Sequence, residues 1–127
     1  MKYVIESPKT VEQAGADLET AATRHQFGVL NVLDLKATLE QKGVAFPHEC
    51  RIYSICNPKI AAHVLEEDMS LNMALPCRIS IYEEGGRTKI GMIPPQMMLS
   101  ILAKSATLDQ AAHEVEETMI AIIDEAK

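Results

Sequence analysis

Two of the three cysteines sit where thiol chemistry can be imagined. Cys56 directly precedes Asn57-Pro58, an N-cap residue followed by a first-turn proline. The N-terminus of a helix carries partial positive charge and favours a thiolate. Cys77 opens a second alternating segment just after Pro76. As a resolving thiol it must lie beside Cys56, which depends on strand direction. Antiparallel strands put both cysteines at one end, and parallel strands put them at opposite ends. A helix returning directly between the strands favours the parallel case, whereas residues 69–75 offer enough chain for the other. Cys50 and Cys56 share a strand at about 20 Å, from ~3.3 Å per residue, too far for a disulfide. The plainer reading of Cys56 and Cys77 is two small thiols filling a core, and that of Asn57-Pro58 is a helix cap. An exposed cap of this kind can also receive an anion.

Alternation adds a second group. Cys50, Ile52, Ser54 and Cys56 share one face of their strand, and Arg51, Tyr53 and Ile55 share the other. In the next strand Cys77, Ile79 and Ile81 oppose Arg78, Ser80 and Tyr82. If the Ile sets face the helices, the opposite face gathers Arg51, Tyr53, Arg78, Ser80, Tyr82 and Lys89. A cationic, hydroxyl-rich face suits a small anionic ligand, or a second copy of the chain in a homodimer. It is also what an ordinary solvated sheet face looks like.

Other chemistry finds little support. His63 with Glu67 and His113 with Glu117 have chelating spacing, but no further ligand matches them, so no metal and no cofactor are expected. Gly85-Gly86 lacks the following helix of a phosphate loop, and there is no G-x-S-x-G. Methionines such as Met92, Met97 and Met98 suggest adaptable core packing.

These residues must be held by elements the pattern predicts in order. A strand covers residues 2–6, and Ser7-Pro8 opens a helix with Val11, Ala14, Leu18 and Ala21 on one stripe. Residues 27–33 are almost continuously apolar, as in a strand buried on both faces. Asp34 caps a short helix closed by Gly43. A strand at 49–56, a helix from Asn57 to about Asp68 and a loop at 69–75 follow. Strands at 77–83 and 87–93 flank a hairpin at Gly85-Gly86. Pro94-Pro95 starts another helix, and Thr107 with Gln110 reads as the capping box of a last one. The result is one α+β domain over residues 1–127, a two-layer sandwich with a mixed sheet and helices mainly on one face.

The balance of charge excludes some partners. With 12 basic and 18 acidic residues, the net charge is -6, a poor basis for binding nucleic acid. Much of the acid lies in residues 109–127. Glu6 and Lys9 interrupt any signal-like apolar run, no stretch is long enough for a membrane span, and an odd cysteine count suits a reducing cytoplasm.

Phe27-Gly28-Val29-Leu30, Asp34-Leu35 with Thr38-Leu39, Cys56-Asn57-Pro58-Lys59, Leu75-Pro76-Cys77-Arg78 and Ile81-Tyr82-Glu83 occur in an order that resembles the family called domain of unknown function 302. The resemblance runs from about residue 4 to 102. It implies a compact α+β domain and no particular activity. The expectation is therefore a non-enzymatic cytoplasmic domain that binds a small anionic ligand or a copy of itself. A thiol-based redox or sulfur-handling activity at Cys56, with Cys77 as partner, is the alternative.

Overall fold

The structure is a computed structural model that describes residues 2–102 and 105–127. Its elements are β1 (Tyr3–Ser7), α1 (Val11–Arg24), β2 (Gly28–Asp34), α2 (Leu35–Gln41), β3 (Cys50–Cys56), α3 (Pro58–Glu67), a 3-10 helix (Met69–Ala74), β4 (Cys77–Glu84), β5 (Arg87–Met92), α4 (Pro95–Leu102) and α5 (Ala106–Ala126). The strands form one five-stranded sheet in the order β1-β5-β4-β3-β2. The α+β arrangement is as expected, but the pairing is not mixed: every neighbouring pair is antiparallel. The reason lies between β3 and β4. One helix alone would deliver a parallel strand. Here residues 69–74 form a second helical leg, capped by Asp68 through Ser70 N at 2.9 Å, and the chain reverses.

One face of the sheet is the main core. Tyr53, Ile55, Ile79, Ile81 and Ile90 are buried there against Leu18 of α1 and Met119, Ile122 and Ile123 of α5. Val64, Leu71 and Leu99 form a second cluster with Leu108 and Ala112, from the start of α5. The carboxylates of α5 fasten its neighbours: Asp124 accepts from Tyr3 Oη at 2.8 Å, Glu125 meets Arg24 and His25, and Glu116 accepts from Gln96 N at 3.1 Å. The last contact places an anion at the start of α4, where the helix dipole favours it.

Several local expectations are corrected. Ser7 ends β1, and α1 is capped by Thr10, whose capping-box partner is Gln13. The cap of α5 is Ser105, so Thr107 and Gln110 lie inside the helix. Residues 27–33 are not buried on both faces. β2 is an edge strand with a bulge between Val29 and Asn31, and Leu30, Val32 and Leu33 are exposed. Asn57 and Asp34 do cap their helices, through Ile60 N and Ala37 N. Gly85 and Gly86 have φ of 61° and 76°, the left-handed pair that a two-residue hairpin needs.

Gly15 of α1 lies over the Tyr53 ring, and a Cβ there would fall 2.0 Å from Tyr53 Oη. Gly15→Ala is expected to destabilise the fold by about 1–3 kcal/mol in urea unfolding. Adding Tyr53→Phe removes the clashing oxygen and should recover part of that loss. A single variant as stable as the parent would show that the ring does not bear on the helix.

Candidate functional site

A cavity of about 370 Å³ opens on the sheet face that α1 and α5 leave uncovered. Its lining runs over Val4, Gly91, Ser80 and Ile52, passes the strand ends at Cys56, Cys77 and Met92, and continues to α3, α4 and α5 as far as Met119. It thus lies where the two apolar clusters part. Ala61, Ala74, Ala111 and Ala112 are the small residues that leave the space open.

The β3–β4 register decides which of the expected residues meet. Tyr53 faces Ile79, and Arg51 faces Ile81, so both belong to the core side of the sheet. They are therefore separated from Arg78, Ser80 and Tyr82, contrary to expectation. Those three share the open face with Ser54, Ile52 and Cys50, their partners across the strands. Arg78, Ser80, Tyr82, Asn57, Cys56 and Cys77 all line the cavity, whereas Arg51 and Tyr53 do not. Tyr53 is only 2% exposed. Burial pushes its phenol up, and the adjacent Arg51 guanidinium opposes that by hydrogen bond and charge. Arg51 Nε is itself buried with no hydrogen-bond partner among the described residues.

The cations of the open face fall into two sets. Arg87 pairs with Glu6 at 2.9 Å, and Lys89 pairs with Glu84 at 2.7 Å. The Lys89–Glu84 contact holds the lysine up and the carboxyl down in pKa. Lys89 is thus tied, not free for a ligand. Lys2 and Arg78 make no ion pair among the described residues, and both line the cavity. Among the described residues no Asp or Glu lines it. Sequence alternation had no means of finding Lys2, Ile93 or Met98, which arrive from a chain end, a strand exit and α4. Among the described residues no group of three His, Cys, Asp or Glu is placed to hold a metal. Asn57 spends its side-chain oxygen on Ile60 N, 3.2 Å away, which is the structural use of that motif.

Cys56 and Cys77 end up at the same end of antiparallel strands, since Cys77 faces Ile55. Burial, and then the nearby Cys56, raise the Cys77 thiol from 9.0 to about 11. At neutral pH it is protonated and a poor nucleophile. Above pH 9 the unfolded chain releases this proton while the folded chain retains it. The stabilisation is whole below that point and is lost as pH rises towards 11. Denaturant unfolding across this window should therefore show a smaller alkaline decline for Cys77→Ala than for the parent. Equal slopes would mean that the thiol is hydrated in the folded state.

The chain matches the family described as "Domain of unknown function DUF302" over residues 3–126. Among curated proteins none matches. Its fold is similar to a crystal structure of an uncharacterized conserved DUF302 protein from Bacillus stearothermophilus, at 30% identity and a TM-score of 0.93, covering 99% of this chain and 98% of that one. The likeness extends over α3, the 3-10 helix and α4, the elements that roof the cavity, as well as the sheet. By sequence match and by fold, the chain belongs to the DUF302 family.

Proposed function

We propose that this protein is a non-enzymatic cytoplasmic domain that binds a small anionic ligand in the cavity beside Arg78. One observation carries the reading. In a chain of net charge -6, the only charged residues lining the cavity among the described residues are Lys2 and Arg78. An Arg fork with nearby hydroxyls from Ser80 and Tyr82 suits a carboxylate or phosphate. The volume falls within the ~300–1,000 Å³ range of small-ligand sites. Three free cysteines suit a reducing compartment. Thiol chemistry has weaker support, because the expected resolving thiol, Cys77, is held protonated. Anionic members of a metabolite set should raise the melting temperature of the parent. Arg78→Ala, on an exposed strand position, should fold normally and weaken that binding about tenfold or more. If no anion stabilises the parent, or if Arg78→Ala binds as tightly, the reading fails.

Self-association has its own support. The outer edge of β2 has no strand beside it, and Leu30, Val32 and Leu33 are 62%, 42% and 39% exposed there. An apolar, unpaired strand edge is a template for pairing with another copy. The open sheet face is a weaker candidate for that contact, since its ion pairs would have to be buried. Light scattering after size exclusion should give a dimer, and Val32→Lys should shift it to monomer. A parent chain that stays monomeric at high concentration rejects this assembly.

A further inference from the structure

The cavity is mostly hydrocarbon. Beyond Lys2, Arg78, Ser80, Tyr82 and Asn57 its walls are apolar or thiol-bearing, and Val64, Leu99, Val115 and Met119 belong to the two buried clusters. A ligand that is polar throughout would lose its hydration against these side chains without replacement partners. A neutral hydrocarbon would leave Lys2 and Arg78 unused and partly desolvated. Both constraints are met by one kind of molecule. We infer that the ligand is an amphipathic monoanion: a carboxylate or similar head held by Arg78 and Lys2, with an acyl or aryl body that reaches between β4, α4 and α5. This rests on the anion-binding reading above and narrows it to one chemical class.

Position supports the orientation. Arg78, Ser80 and Tyr82 project from β4 at alternate residues, so the polar groups form one row on the open sheet face. Most of the apolar lining comes from the helices beyond the strand ends, with Val4 and Ile52 flanking the row on the sheet. Head and body therefore have separate places. An apolar void near 150 Å³ holds a benzene ring, so about 370 Å³ holds a body of roughly ten carbons. Met98 and Met119 are both in the wall, and their unbranched side chains adapt to bodies of different shape. The cavity has an internal reporter as well: Cys56 lines it, whereas Cys50, on the same strand, does not.

The test uses the full chain and three probes: sodium decanoate, decylamine and sodium acetate. Titration calorimetry follows affinity, and iodoacetamide labelling with mass spectrometry follows the thiols. Decanoate is expected to bind and to slow labelling of Cys56 relative to Cys50. Decylamine, with the same body and the opposite charge, and acetate, with the head alone, should bind at least about tenfold more weakly. Arg78→Ala should cost decanoate about tenfold. Ala111→Leu should do the same by filling the body site, and Met98→Trp provides a second filled cavity if the first variant does not fold. Acetate binding as tightly as decanoate, with Ala111→Leu and Met98→Trp indifferent, would overturn the amphipathic assignment and keep the anion site. Decanoate binding that ignores Arg78→Ala and leaves Cys56 labelling unchanged would place it elsewhere and overturn the proposal. If no anion of any kind binds, the broader reading falls with it.

Discussion

The fold depends on one helix burying a single apolar stripe in two places. α5 runs for 21 residues, roughly 30 Å at 1.5 Å each. Its second half, from Val115 to Ala126, closes the sheet core with α1. Its first half, at Leu108 and Ala112, closes a separate cluster with α3, the 3-10 helix and α4. Neither cluster would be covered without it. The sheet has only α1 to offer Ile81 and Ile90 on that side, and α3 buries only Val64 fully. A stripe continuous in sequence but shared between two cores needs a junction, and residues 111–119 are that junction. Small side chains there leave a gap, because the two clusters diverge faster than alanines can fill it.

The gap is not a packing defect of the usual kind. Voids in well-packed cores are rarely larger than a water molecule. A space of about 370 Å³ costs stability unless something fills it. Four alanines and Gly91 border it, where Leu or Ile would have closed it. Gly91 is also constrained by its strand partner, since a Cβ there would lie 2.8 Å from Val4 Cγ2. The carboxylates are distributed consistently with a kept space. α5 is rich in acid, yet Glu116, Asp124 and Glu125 are turned to Gln96, Tyr3, Arg24 and His25, away from the cavity wall.

How much of this was legible in the sequence can be read from particular residues. Elements with strong local chemistry were predictable: the Asn57-Pro58 and Asp34 caps, the glycine hairpin and the α5 stripe each follow from side chains a few residues apart. The faces of β3 were not. Ile52 and Ile55 have opposite parity, so alternation supplies no preferred face, and only pairing with Ile79 and Ile81 decides that Tyr53 points inward. That one choice sent Arg51 and Tyr53 to the core and left Arg78, Ser80 and Tyr82 outside. β2 misled for a similar reason. A continuous apolar run suits a central strand, but its place at the edge is set by strand order, which no local pattern encodes. Lys2 and Met98 reach the cavity only through tertiary folding.

Cys77 connects the energetics of the fold with those of the site. The burial that raises its thiol to about 11 leaves the Cys77 side chain poorly hydrated at the strand end. The same poor hydration strengthens any charge pair formed beside it, since attraction between opposite charges grows as the local dielectric falls. It also makes an unmatched charge costly there. Arg78 is adjacent to Cys77 in sequence, but its exposed position on the open face keeps its free state hydrated. Arg87 and Lys89 sit where carboxylates already neutralise them, so an incoming anion must compete with Glu6 and Glu84. Arg78 imposes no such competition, and Lys2 lies in the field of Glu84 without an ion pair to it. The selectivity of this face therefore lies less in how many cations it carries than in which of them the protein has left unpaired.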